Sequence, residues 1–165
     1  MSGKGVVIRR AVPEDLPVFL GLVDALADYE KLDRPTPEAR ERLARDGFGP
    51  EPLFHPWMLE RDGRAIGYAI VFFTYSSFLA RPTLYLEDLF LLPEARGRGA
   101  GYAAMRRLAA EAVRRGCGRM EWVVLDWNRL AIDFYERLGA RRLSDWYTYR
   151  LDGTRLRALA GERER

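Results

Sequence analysis

The chain has 165 residues, of which 48% are hydrophobic, 31% charged and 12% aromatic. That composition fits one compact soluble domain spanning the whole chain and excludes a disordered or fibrous one. Its 27 basic and 24 acidic residues give a net charge of only +3, with the two signs mixed rather than gathered into the basic face of a nucleic-acid binder. The longest apolar run, residues 65–73, is broken by Gly67 and Tyr68 and is far too short to cross a bilayer.

Met1 to Gly5 passes directly into Val6-Val7-Ile8 with no apolar secretory segment, so a cytoplasmic location is expected. Residues 6–10 read as a first strand. Val12-Pro13-Glu14-Asp15 reads as a helix entrance, with acidic groups beside the exposed N–H groups. Leu16, Phe19, Leu20, Val23, Leu26 and Ala27 then recur at helical spacing through Tyr29. A second helix enters at Thr36-Pro37 and ends at the Asp46 to Pro50 turn. Residues 57–60 and 64–75 flank Asp62-Gly63, a hairpin signal. An apolar strand over 83–92 stops at Pro93, and residues 99–115 carry Met105, Leu108, Ala109, Ala112 and Val113 at helical spacing. Residues 119–125 read as a strand, 130–138 as a short helix ending at Gly139, and 141–151 as one long bent strand or two short ones. A turn over 154–160 precedes a polar Glu-Arg-Glu-Arg tail expected to fray. The order is mixed α/β.

Arg96-Gly97-Arg98-Gly99-Ala100-Gly101 lies between a predicted strand and a predicted helix, where successive N–H groups can converge on an anion. Glycine permits close backbone approach, and the two arginines suit phosphate oxygens. No Gly-Lys-Ser/Thr follows, so this is not a Walker loop. Taken alone, it reads equally well as a surface turn with two solvated arginines. The preceding strand is interrupted by Glu87-Asp88. Because neighbouring side chains on a strand point to opposite faces, at least one carboxylate must meet a packed face. Either a cleft or an ion pair with one of the 25 arginines accounts for it. Asn128 suits a helix N-cap, and Ala131, Phe134 and Tyr135 suit core positions beside it.

The sole histidine, His55, lies in Phe54-His55-Pro56-Trp57, a strand entrance, and reads as a packing residue rather than a base. Cys117 is alone and can form no internal disulfide. No spacing of His, Cys and carboxylates makes a metal shell, and no metal is expected.

Together these segments resemble the Gcn5-related N-acetyltransferase (GNAT) superfamily across nearly the whole chain. More narrowly, Leu26-Ala27-Asp28-Tyr29-Glu30, Asp46-Gly47-Phe48-Gly49, Phe72-Phe73-Thr74-Tyr75, Leu84-Tyr85-Leu86-Glu87-Asp88 and Trp127-Asn128 through Phe134-Tyr135 resemble its diamine (spermidine/spermine) branch. The resemblance implies an α/β fold with a mixed, mostly antiparallel sheet splayed in the middle and flanked by helices. Acetyl-CoA would enter the splay as cosubstrate. Its pyrophosphate would rest on the Arg96, Gly97, Arg98, Gly99, Ala100 and Gly101 turn, its pantetheine arm along Phe90, Leu91 and Leu92, with Asn128 nearby. Tyr135 would be the general acid beside the coenzyme sulfur and Glu87 the proton acceptor, directly or through water. Tyr29, Glu30, Glu87, Asp88 and Trp127 would shape the site of a small cationic amine, a diamine or polyamine first.

Lys31 and Leu32 depart from the acidic run of a dedicated polyamine enzyme. An alternative substrate is therefore thialysine or another amino-acid-like amine. A different-class alternative is an acyl-CoA-binding regulator with little turnover. The branch also implies a homodimer, and Trp146, Tyr147 and Tyr149 suit either its interface or the core.

Overall fold

Five strands form one sheet in sequence order: β1 (Val6–Arg10), β2 (His55–Arg61), β3 (Arg64–Ser76), β4 (Arg81–Leu91) and β5 (Arg119–Glu121). The structure is a computed structural model describing residues 5–162; the expected frayed ending at residues 163–165 and the reading of Met1 to Lys4 lie outside the described residues. By Cα packing the chain separates into two compact units, one through Val123 and one from Val124 onward.

In the first unit, β1 to β4 pair antiparallel and β5 pairs parallel to β4. Asp62 and Gly63 both take positive φ, 52° and 74°, as a two-residue type I′ turn requires, so the hairpin signal correctly joins β2 to β3. A parallel neighbour needs a crossover, which α3 (Ala100–Arg114) supplies. Helices α1 (Leu16–Glu30) and α2 (Pro37–Phe48) precede the hairpin. A short 3-10 turn leads into α1, fastened by Asp15, which accepts from the Val12 N–H and from both ends of the Arg9 guanidinium at 2.7 and 2.8 Å.

The core on one face gathers Phe19 and Leu22 of α1, Met58 of β2, Tyr68 and Ile70 of β3 and Phe90 of β4. Phe19 meets Phe48 and Tyr68 edge to face at 5.3 and 5.2 Å, contacts worth about 0.5–1.5 kcal/mol each beyond area burial. Strand alternation sends Trp57 and Leu59 to the other face, where Arg107 of α3 lies 4.8 Å over the Trp57 ring. Ala104, Leu108 and Ala112 form the buried stripe of α3. The sheet is therefore mixed, largely antiparallel and flanked by helices.

Two expectations fail. The strand expected over 119–125 ends at Glu121, because its ladder with β4 consists only of Thr83 with Arg119, Leu84 with Met120 and Tyr85 with Glu121. The strands expected over 141–151 do not form. A strand is defined by a hydrogen-bonded neighbour, and these residues join no ladder. Trp146, Tyr147 and Tyr149 in that segment are exposed rather than core. The second unit instead holds α4 (Arg129–Arg137) and α5 (Gly153–Leu159), capped by Asn128 and Asp152, whose side chains accept from the N–H groups of Ala131 and Arg155.

Candidate active site

The glycine turn opens α3. Gly97 and Gly99 stand at φ 72° and 78°, a region that side chains with a Cβ rarely enter, and Gly99 is the N-cap. The Ala103 N–H returns to the Gly99 carbonyl; the N–H groups ahead of it in the first turn have no partner inside the helix, as at every helix start. Such a helix start has the backbone geometry that suits an anion such as a pyrophosphate. Immediately before it, the residues of β4 beyond Tyr85 lose their neighbour on the β5 side. The stretch through Phe90 and Leu91 therefore offers main-chain groups to an extended ligand, and Leu92 follows at the end of the strand. The fit to a pantetheine and pyrophosphate chain comes from this chain's own strand edge and turn.

Arg96 and Arg98 differ. Arg98 is exposed, and its carbonyl accepts from Arg61 at 3.4 Å. Arg96 turns back: its Nε donates to the Leu91 carbonyl at 3.0 Å, and its guanidinium lies 4.6 Å over Tyr29 and 5.8 Å from the Phe90 ring centre. It thus straps the end of α1 to the end of β4. The resemblance sets Arg96 toward phosphate and does not foresee this strap; two aromatic rings within reach of an arginine beside the turn were the available signal.

Glu87 and Asp88 are separated by a β-bulge. Ile70 pairs with Asp88 and Val71 with Leu86, leaving Glu87 as the extra residue. Bulges re-aim side chains and are frequent beside active sites. Glu87 is exposed and Asp88 half-buried. Neither forms an ion pair among the described residues, although arginine is abundant. Asp88 Oδ2 instead accepts from the Tyr68 hydroxyl at 3.0 Å. Burial, then the nearby charges of Glu87 and Glu30, push the Asp88 carboxyl up to about 6, against the opposite pull of the Tyr68 bond. Tyr68 is raised well above the usual phenol range by burial and by Asp88, so it remains a donor.

Tyr29 and Glu30 end α1, with the Tyr29 ring 6.4 Å from Phe90. The first unit therefore brings together Tyr29, Glu30, Glu87, Asp88, Phe90 and Arg96. Tyr68 was missed by sequence reading, although a tyrosine inside an apolar strand needs a partner for its hydroxyl.

The second unit carries Trp127, Asn128 and Tyr135. Asn128 uses its side-chain oxygen as the α4 cap at 3.2 Å. Burial raises the Tyr135 hydroxyl to about 12, so it holds its proton at neutral pH. His55 packs against Phe73, and its Nδ1 faces the Arg10 guanidinium at 2.9 Å. Burial, followed by Arg10 and Arg115, lowers its pKa, in keeping with the packing role.

A strand edge leading to a glycine turn at a helix start, beside carboxylates with no ion pair among the described residues, suits a coenzyme thioester and an amine. Residues 20–140 match the model of the acetyltransferase (GNAT) family. The chain is 37% identical to the thialysine N-epsilon-acetyltransferase of Sus scrofa, over 95% of this chain and 98% of that one. It is 32% identical to a spermidine/spermine N(1)-acetyltransferase-like protein of Homo sapiens, over 94% of this chain but 24% of the relative. Among solved structures, an integron cassette protein from the mobile metagenome of V. cholerae superposes with a TM-score of 0.81 at 25% identity, covering 94% and 98% of the two chains. These matches support the wider superfamily, with thialysine and spermidine/spermine relatives both among them. The chain belongs to the GNAT acetyltransferase family and is an acetyl-CoA-dependent N-acetyltransferase.

Proposed function

We propose that the acetyl group passes from acetyl-CoA to the side-chain amine of a small amino-acid-like cation, thialysine or a close analogue. The observation that carries the amine reading is the trio Glu30, Glu87 and Asp88, none of which forms an ion pair among the described residues. The preference for an amino acid over a polyamine is supported by the thialysine relative matching both chains end to end. Lys31, directly after Glu30, adds a positive charge where a multiply charged amine would prefer none.

An alkylammonium has a pKa of about 10.4, so a proton must leave before nitrogen attacks the thioester carbonyl. Glu87, exposed on the bulge, takes that proton directly or through water, while Asp88 and Glu30 hold the cation. Tyr29 shapes the pocket, and the family resemblance gives Trp127 a part in substrate recognition. Main-chain groups of Phe90, Leu91 and Leu92 orient the pantetheine arm, the resemblance assigns Asn128 to the same arm, and a strand N–H polarises the carbonyl. The turn from Arg96 to Gly101 receives the pyrophosphate, with Arg98 adding charge. Tyr135 returns a proton to the departing thiolate. Attack is direct, without an acyl-enzyme. A di- or polyamine is the second reading, favoured by the number of carboxylates.

The test is acetyl-CoA-dependent thiol release with thialysine, lysine, ornithine, putrescine, spermidine and spermine, with Tyr135→Phe in parallel. The expected result is the highest kcat/KM on thialysine, and a loss of about 100-fold or more in the variant. A kcat/KM for spermidine exceeding that for thialysine by about tenfold would replace the substrate and leave the reaction class standing.

A further inference from the structure

We infer that Tyr68 is a positioning residue for the amine reaction: its hydroxyl, delivered from the core to Asp88 Oδ2, fixes that carboxylate beside Glu87 and Glu30 as part of the ammonium site. The inference rests on the amine reading above and extends it to a residue that does not touch the substrate.

Tyr68 is fully buried. It stands opposite Phe90 in the ladder and edge to face against Phe19, so the ring has no room to follow a ligand. Its hydroxyl reaches Asp88 at 3.0 Å. The groups facing Asp88 are Tyr68 from β3, Glu87 from its own strand and Glu30 from α1. Two are acidic. Among the described residues, Tyr68 is the neighbour that favours the ionised carboxylate. A phenylalanine would fill the same space in the core. The phenol oxygen is needed only by a partner, and that partner is at the bulge.

The consequence is a pH limit. With its pKa near 6, Asp88 is ionised at neutral pH, and the pair can receive an ammonium. Without the Tyr68 hydroxyl, burial and the two flanking acids act unopposed, and the carboxyl keeps its proton to higher pH.

The experiment is the pH profile of kcat/KM for the amine at saturating acetyl-CoA, from about pH 5 to about pH 9, on wild type, Tyr68→Phe and Asp88→Asn. In wild type kcat/KM is level above pH 6, where the substrate enters as the ammonium, and falls with a slope of about one below it, as Asp88 gains a proton. Tyr68→Phe is expected to move the break upward by about one to two pH units. That costs about tenfold or more at pH 6 and little at pH 9, with the KM for acetyl-CoA within about twofold. Asp88→Asn removes the break, which tests the carboxylate even if Tyr68→Phe folds poorly. A break that stays in place in Tyr68→Phe, or persists in Asp88→Asn, overturns the inference alone. Absence of turnover on every amine by wild type overturns the reading beneath it.

Discussion

Two acids meet packed surroundings in the first unit, and their neighbours differ. Glu111, on the last turns of α3, is 4% exposed. It accepts from Arg114 at 2.6 and 3.0 Å and from Arg115 at 2.7 Å, with Arg107 at 3.8 Å. The Arg114 bond, joined by the Arg115 bond and opposed by burial, brings its carboxyl down to about 2. Asp88 on the bulge has one phenol and two acids for neighbours, and its carboxyl rises to about 6. A buried charge with its counterions supplied is a structural element, whereas one held beside like charges is maintained against its own electrostatic preference. In a chain with 25 arginines, the contrast separates an acid supplied with counterions from one that has none among the described residues.

The largest expected effect breaks the symmetry of charge removal. Glu87→Gln is expected to lower kcat/KM for the amine by about 10²- to 10⁴-fold, with the melting temperature unchanged or higher because one of three like charges is gone. Glu111→Gln is expected to leave kcat/KM within about twofold. Steady-state kinetics and thermal melts on the two proteins decide this; equal kinetic losses would dissolve the distinction.

Stability against pH sharpens it, because the two acids have opposite signs. Asp88 has a folded pKa raised from 3.8 to about 6, so its contribution is full below 3.8 and lost as pH rises through 6. Asp88→Asn removes this dependence and is expected to be more stable than wild type at pH 7 by about 2 kcal/mol. Glu111 has a folded pKa lowered from 4.5 to about 2. Its contribution is present above 4.5 and lost as pH falls through 2. Glu111→Gln is therefore expected to cost about 1–2 kcal/mol at pH 7 and nothing at pH 2. Urea unfolding across that range reads both windows.

The smallest effect belongs to Asp28 and Arg34, paired at 2.6 Å on the surface. Asp28→Asn is expected to leave the denaturation midpoint and kcat/KM unchanged, because an exposed pair is screened by water and salt. A measurable kinetic effect there would extend the amine site beyond Glu30.

Local chemistry was legible in the sequence. The helical stripes of α1 and α3, the Asp62-Gly63 turn, the glycine turn into α3 and the Asn128 cap each depend on residues within a few positions of one another. Two adjacent carboxylates in an apolar strand announced that something unusual lay there. Which was buried, and what it met, could not be read, since the answer depends on Ile70 and Val71 of the neighbouring strand skipping Glu87. The same holds for residues 141–151, where β-forming side chains found no ladder to join.

The sequence by itself determined the helices, the hairpin turn, the family and the glycine turn into α3, because periodicity, turn chemistry and capping act over one or two turns of chain. Tertiary structure alone decided that Tyr68 reaches Asp88, that Arg96 straps α1 to β4, and that β5 stops at Glu121. Each of these depends on where a second strand or helix comes to rest. The electrostatic character of a carboxylate follows from those neighbours rather than from its own position in the chain.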